Sequence, residues 1–156
     1  METEFKIEEK TYDAENVIYM QISVPYEEMR DAYRFFMKLG IHVFSNGGRA
    51  PGPCFFRYTN ETPESIDMEV CLVVDGPLPE TEEIFYKELP KYSGKFAIGY
   101  CKGPYTQLPN AYADMKEWFV SEGLVRTGEP MIERFLNYRP HMDENELLTE
   151  LIWPIE

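Results

Sequence analysis

The chain has 156 residues, of which 44% are hydrophobic and 15% aromatic, enough apolar material for one domain or two small modules that share a core. It carries 28 acidic and 15 basic side chains, a net charge of -13, which repels phosphate backbones and anionic membranes and attracts cations. We therefore expect neither nucleic acid nor a membrane as a direct partner.

Cysteine and histidine usage narrows the chemistry further. Cys54, Cys71 and Cys101 form no CxxC pair, and the N-terminal residues lack a signal-peptide pattern, so we expect reduced thiols and a cytoplasmic protein. His42 and His141 are the only histidines and lie in unrelated contexts, so the sequence predicts neither a metal site nor a histidine-based triad. With no glycine-rich phosphate loop either, we expect no cofactor.

The first half of the chain predicts two strands, a helix and two more strands. Residues 4–10 and 16–24 flank a turn-like segment and predict a hairpin. From 25 to 39 apolar residues recur every three or four positions, which predicts a helix that ends at Gly40. The last two predicted strands of this half are 54–59 and 66–74.

The same order returns in the second half. The segment 75–79, Asp-Gly-Pro-Leu-Pro, marks the boundary, because its prolines and glycine oppose both helix and strand pairing. A helix is predicted at 106–121, with Pro109 in its first turn and Gly123 at its end. Strands are predicted at 83–89, 95–101, 131–138 and 147–155.

The two halves also share residues at a nearly constant offset of about 80 positions. The matching residues are Phe5, Glu8 and Tyr12 with Phe85, Glu88 and Tyr92, then Pro25-Tyr26 with Pro104-Tyr105, Ala32-Tyr33 with Ala111-Tyr112, and Glu69 with Glu150. We predict a single α+β domain built as a tandem pseudo-twofold repeat of a ββαββ module, with copies at about 4–75 and 82–155. Antiparallel sheets and a ligand cleft between equivalent surfaces are expected from such an arrangement.

Motif elements of the second copy resemble the GyrI-like small-molecule-binding family, which includes the effector-binding domains of multidrug-sensing transcription regulators. These elements are Gly103-Pro104-Tyr105, Leu108, Ala111-Tyr112, Trp118, Gly123, Gly128-Glu129-Pro130, Glu133-Arg134-Phe135 and residues 146–155. The resemblance extends from about residue 6 to 155. It implies a pocket between two long helices, in which aromatic side chains and buried acidic residues hold hydrophobic cations.

The resemblance places the family's acidic positions on Glu133 and Glu150. Alternation along the last strand puts Leu148 and Ile152 on the same face as Glu150, which favours a covered position over a solvent-facing one. Glu69 is the counterpart of Glu150 in the first copy and is the third acidic candidate.

The aromatic candidates for the pocket are Trp118, Phe56, Tyr58 and Phe135. An aromatic face attracts an organic cation by roughly 0.5 to 2 kcal/mol, with larger values where water is excluded. Ordinary core packing is the alternative explanation for each of these rings.

Two functions of different class stay open at this point. The first is a module that binds amphipathic, cationic small molecules, for sequestration or effector sensing, with any protein partner unknown. The second is a hydrolase that detoxifies electrophilic or strained-ring compounds with a pocket glutamate and tyrosine, in which Glu150 is the candidate catalytic residue. Docking on DNA gyrase is a third possibility that rests on family analogy alone.

Overall fold

The computed structural model describes residues 1–156, apart from the side chain of Arg30, and these residues form eight strands and two α-helices. The strands are β1 (Glu2–Tyr12), β2 (Glu15–Pro25), β3 (Cys54–Glu61), β4 (Ser65–Val74), β5 (Phe85–Leu89), β6 (Tyr92–Lys102), β7 (Met131–Phe135) and β8 (Leu148–Ile155). The helices are α1 (Arg34–Ser45) and α2 (Leu108–Ser121). The predicted α+β class with antiparallel pairing is confirmed.

The chain divides into two compact units. The α2 unit comprises Met1–Thr11 and Ser93–Glu156, and its strands follow the order β1-β6-β8-β7. The α1 unit comprises Tyr12–Tyr92, and its strands follow the order β3-β4-β2-β5. Each unit therefore contains four adjacent strands and one α-helix.

The hairpin predicted between residues 4–10 and 16–24 does not form. β1 lies beside β6 rather than β2, and β5 pairs with β2, in a register that places Tyr19 opposite Phe85 and Glu15 opposite Leu89. The first strand of each predicted copy is thus exchanged into the other unit. The local sequence pattern predicted the strands themselves. It does not specify which strands pair with each other, because strand pairing depends on residues that are distant in the chain. The internal repeat itself stays a prediction.

The first helix differs from its predicted bounds. Residues Tyr26–Tyr33 form a 3₁₀ helix, and α1 then runs through Gly40 to Ser45. Leu39 and Val43 are buried on this helix, and their packing outweighs the roughly 1 kcal/mol that an internal glycine costs. The left-handed residue after the helix is Gly47, with φ of 68°, rather than Gly40.

The second helix agrees more closely with the sequence. A short 3₁₀ turn, Tyr105–Gln107, leads into α2, which has Pro109 in its first turn. Gly123 follows the helix with φ of 65°, as predicted. Leu108, Ala111 and Met115 are its buried residues.

Candidate ligand-binding site

Strand pairing in the α2 unit determines which residues face α2. Glu133 of β7 lies opposite Leu151 of β8, and Leu151 lies opposite Gly99 of β6. Gly99 faces the helix, because a Cβ atom at this position would lie 3.0 Å from the Sδ atom of Met115 in α2. Since residues two apart on a strand share a face, Trp153 lies on the same side as Leu151. Glu133 therefore belongs to the α2-facing side of the sheet.

Aromatic rings from the sheet and the helix meet on this side. The ring centroid of Trp153 is 6.3 Å from that of Tyr112 and 5.4 Å from that of Phe119, both in α2. Phe135, two residues after Glu133, makes an edge contact with Tyr105 at 5.1 Å. Stacked and edge arrangements of this kind are the favoured geometries for aromatic pairs.

Polar groups are buried among these rings. Glu133 is 4% exposed and Thr149 is 1% exposed. Burial and the negative charge of Glu133 raise the pKa of the Cys101 thiol to about 12. The Oγ1 atom of Thr149 and the Nε1 atom of Trp153 are buried, and neither has a hydrogen-bond partner among the described residues. Buried polar groups without partners are uncommon, so these two atoms are available to a ligand or a water molecule.

The opposite face of the same sheet carries Glu150. Its register neighbours are Tyr100 on β6 and Arg134 on β7. Glu150 is partly exposed, and it lines a cavity of about 410 Å³ together with Tyr100, Leu136 and Leu148. No hydrogen bond or ion pair connects Glu150 to another described residue. The structure thus separates the two acidic positions that the resemblance assigned to one pocket, because Glu133 and Glu150 point to opposite faces.

Leu148 was expected to cover Glu150, but it is 39% exposed. Next to the cavity, the hydroxyl of Tyr100 donates a hydrogen bond of 2.9 Å to Glu8, and Lys10 forms an ion pair with Glu8 at 3.3 Å. Burial raises the pKa of Glu8, but the Tyr100 bond and the charge of Lys10 outweigh it, so the pKa lies below its usual value. This face therefore carries two carboxylates: that of Glu150, which has no partner among the described residues, and that of Glu8, which is paired.

The aromatic candidates from the first half of the chain form a cluster on the helix-facing side of the α1 unit. Phe56 stacks on Phe36 of α1 at 5.0 Å and lies 5.3 Å from Tyr33. Tyr58 is 6.3 Å from Phe56, and both side chains are buried. The structure thus brings Phe56 and Tyr58 together beside α1.

Glu69 occupies the other face of the α1 unit. It is opposite Arg57, which lies between Phe56 and Tyr58 and therefore points away from α1. The Glu69 carboxylate accepts hydrogen bonds from Arg57 at 2.7 Å and from Lys87 at 2.6 Å. Both of its oxygens are satisfied by cations of the same unit.

Trp118 packs at the edge of the α2 unit. Its ring lies 5.5 Å from Phe5 of β1, and the side chain is partly exposed. The residues that sequence reasoning missed are Thr149, Trp153 and the Glu133–Cys101 neighbourhood. Alternation along the last strand could have placed Thr149 and Trp153 on one face, but only the register with β7 brings Glu133 to that face.

The described residues contain neither a metal-binding cluster nor a membrane-spanning helix. No group of three or more histidine, cysteine, aspartate or glutamate side chains there could hold a metal ion. Neither helix of the described chain is long and apolar enough to cross a membrane.

This antiparallel α+β fold is one that small-molecule-binding domains adopt. The chain belongs to one such family: the GyrI-like small molecule binding domain matches residues 5–156. The resemblance noted in the second copy is thereby confirmed. A search of curated proteins found no match.

Solved structures support the fold. The crystal structure of the EcmrR C-terminal domain is 24% identical, with a TM-score of 0.77 over 97% of this chain and 98% of that one. In a cryo-EM structure of an EcmrR–DNA complex the identity is 22% and the TM-score 0.77, over 97% of this chain and 57% of the EcmrR chain. The structure of SAV2435 bound to tetraphenylphosphonium is 8% identical, with a TM-score of 0.68 over 98% of this chain and 94% of that chain.

Proposed function

We propose that the α2 unit binds amphipathic organic cations on its α2-facing side, with Glu133 as the charge partner. The observation that carries this proposal is the burial of the Glu133 carboxyl group, at 4% exposure, on the face that also presents Phe135 and Trp153. The biological role would be sequestration of such compounds or effector sensing.

The physical reason is charge matching in a site with little water. Where water is excluded, the attraction between a carboxylate and a cation is screened less than at the surface. An organic cation with a large apolar surface supplies the charge, and aromatic faces can cover the rest of the molecule. SAV2435, which shares the fold, was solved with tetraphenylphosphonium, a cation of this kind.

Thr149 and Trp153 add a polar component to the proposed site. Their unpartnered Oγ1 and Nε1 atoms can orient a ligand that carries a hydrogen-bond acceptor beside its cationic centre. Trp118, Phe56 and Tyr58 remain predicted ligand-binding residues, whereas Glu150 and Glu69, also predicted from the sequence, lie on the faces turned away from the helices and are not part of the proposed site.

The test compares two glutamates on opposite faces of one sheet. Binding of a planar cationic dye and of tetraphenylphosphonium is measured by fluorescence and calorimetry for the wild type, Glu133→Gln and Glu150→Gln. We expect Glu133→Gln to weaken binding by about tenfold or more, and Glu150→Gln to change it by less than about twofold. Circular dichroism shows whether each variant keeps its fold.

If Glu150→Gln weakened binding more than Glu133→Gln, the site would lie on the face that bears Glu150. Wild-type affinity in both variants would overturn the electrostatic basis of the proposal. Incubation with an isothiocyanate adds a check on the hydrolase alternative. Consumption beyond one equivalent per chain would reveal turnover, whereas a stoichiometric limit would fit a binding protein.

A further inference from the structure

β1 is an edge strand with one open side. It stands at the end of its strand order, next to β6, and no other strand of the described residues borders its outer side. Seven of its eleven residues are exposed, which agrees with an edge position. The outer backbone N–H and C=O groups of such a strand can pair with another strand.

The charges on this strand alternate in sign. Glu4, Lys6, Glu8 and Lys10 occupy one face, and Glu8 on that face contacts Tyr100. The other face carries Ile7, which is 41% exposed and lies midway between the charged pairs. If a second β1 strand runs in the opposite direction with its Ile7 beside the first, each lysine on this face lies opposite a glutamate.

We propose that β1 pairs antiparallel with β1 of a second copy of this chain, with Ile7 opposite Ile7 on a twofold axis. In this register Lys6 lies opposite Glu8, and Glu4 lies opposite Lys10. Symmetry produces each ion pair twice, as in any isologous interface. Opposite charges that face each other across antiparallel strands stabilise the pairing.

Neighbouring registers lack this complementarity. Centring the pair on Lys6 places Glu4 opposite Glu8, and centring it on Glu8 places Lys6 opposite Lys10. Like charges directly across a ladder destabilise it. A shift by a single residue would instead set the charged face of one strand against the other face of its partner. The register centred on Ile7 therefore matches the four charges from Glu4 to Lys10, while Glu2 at the strand end lies opposite Tyr12.

The same register suits the backbone. In an antiparallel pair, alternate residues exchange both hydrogen bonds with the residue opposite, so opposed residues must have the same phase along their strands. Residues related by the axis through Ile7 are separated by an even number of positions and always share that phase. The ladder can therefore form without a bulge.

The net charge of each chain acts against association. At -13 per chain, two copies repel each other over long distances. At an ionic strength of ~0.15 M the Debye length is about 8 Å, so salt screens this repulsion more strongly than the contact pairs between adjacent strands. We expect a dimer whose population depends on protein concentration.

Charge-reversal variants test this register, because the molecular mass in solution shows whether each variant is a monomer or a dimer. Sedimentation velocity of the full chain is compared for the wild type, Lys6→Glu, Glu8→Lys, the double variant, and an equimolar mixture of the two single variants. We expect dimers in the wild type, monomers in each single variant, and dimers again in the double variant and in the mixture, where glutamate meets lysine. A wild type that stays monomeric at the highest attainable concentration overturns the proposal, as do single variants that dimerise like the wild type.

A disulfide test keeps the proposal open to refutation if a charge variant misfolds. Ile7→Cys in a Cys54→Ala background should form a covalent dimer under mild oxidation, because the two side chains face each other across the axis. Glu9→Cys in the same background is the matched control, since its register partner is Phe5, and it should form no covalent dimer. Equal cross-linking of both variants would exclude this register. Neither readout involves a ligand, so its failure would leave the proposed binding function untouched.

Discussion

The two units each bury one glutamate, but they bury it in different surroundings. In the α1 unit, Glu69 points away from the helix and is held between Arg57 and Lys87. In the α2 unit, Glu133 points toward the helix, on the face of Phe135 and Trp153. Burial alone therefore does not identify a binding carboxylate. The Arg57 and Lys87 pairs at Glu69 serve stability, and the aromatic rings around Glu133 are of the kind that contacts a cationic ligand.

The largest effect that would sharpen this contrast is expected at Glu69. Glu69→Gln leaves two partly buried cations without their counter-charge, and we expect the free energy of unfolding to fall by about 2 kcal/mol. Urea denaturation measures it. The matched control is Glu83→Gln, whose ion pair with Lys38 is exposed and should contribute less than about 0.5 kcal/mol. Equal losses in both variants would show that the Glu69 pairs are no stronger than a surface pair.

An intermediate loss of stability is expected when a methyl group is added at a tightly packed glycine, and the size of the loss should differ between the two units. A Cβ at Gly52 of the α1 unit would lie 2.7 Å from Cβ of Val73, a side chain with little freedom, so Gly52→Ala should destabilise by about 1 to 2 kcal/mol. In the α2 unit, a Cβ at Gly99 would meet the flexible Met115 at 3.0 Å, and Gly99→Ala should lose less than about 1 kcal/mol. Thermal unfolding of both variants tests the order, and a larger loss at Gly99 would contradict it.

The smallest expected effect is on the pH dependence of stability and concerns Cys101, whose thiol is close enough to Glu133 to respond to its charge. The pKa of the Cys101 thiol is raised from 9.0 to about 12, so the folded state favours the neutral thiol. Its contribution to stability is complete below about pH 9 and is lost as the pH rises toward 12. Cys101→Ala should make unfolding less sensitive to alkaline pH. Parallel pH curves for variant and wild type would show that the thiol titrates normally.

Sequence pattern located the elements better than their partners. The helix that ends at Ser121 and the start of the strand that contains Glu133 were placed correctly, because period and turn residues are local properties. The strand itself ends at Phe135, three residues earlier than predicted. The position of Gly40 suggested a helix end, but tertiary packing of Leu39 and Val43 carried the helix past it. Partners of β1 and β5 were missed, since strand pairing is decided by contacts between distant segments.

The candidate site shows the same limit. The family resemblance selected Glu133 and Glu150 together, and alternation alone could not say that they face opposite sides of a sheet. The register of β7 with β8 decides this, because it sets Glu133 opposite Leu151 and Arg134 opposite Glu150. Glu69 looked equivalent to Glu150 by position, but its two cationic neighbours come from other strands.

What the sequence determined by itself is the α+β class, most element positions, the excess of negative charge and the family. These follow from local periodicity, composition and short motifs, which need no knowledge of three-dimensional neighbours. Only the tertiary structure decided which strands pair, which glutamate is matched by lysine and arginine, and which lies under an aromatic helix face. The physical reason is that a side chain's solvation and charge partners are set by the residues packed around it, and those residues are far away in the chain.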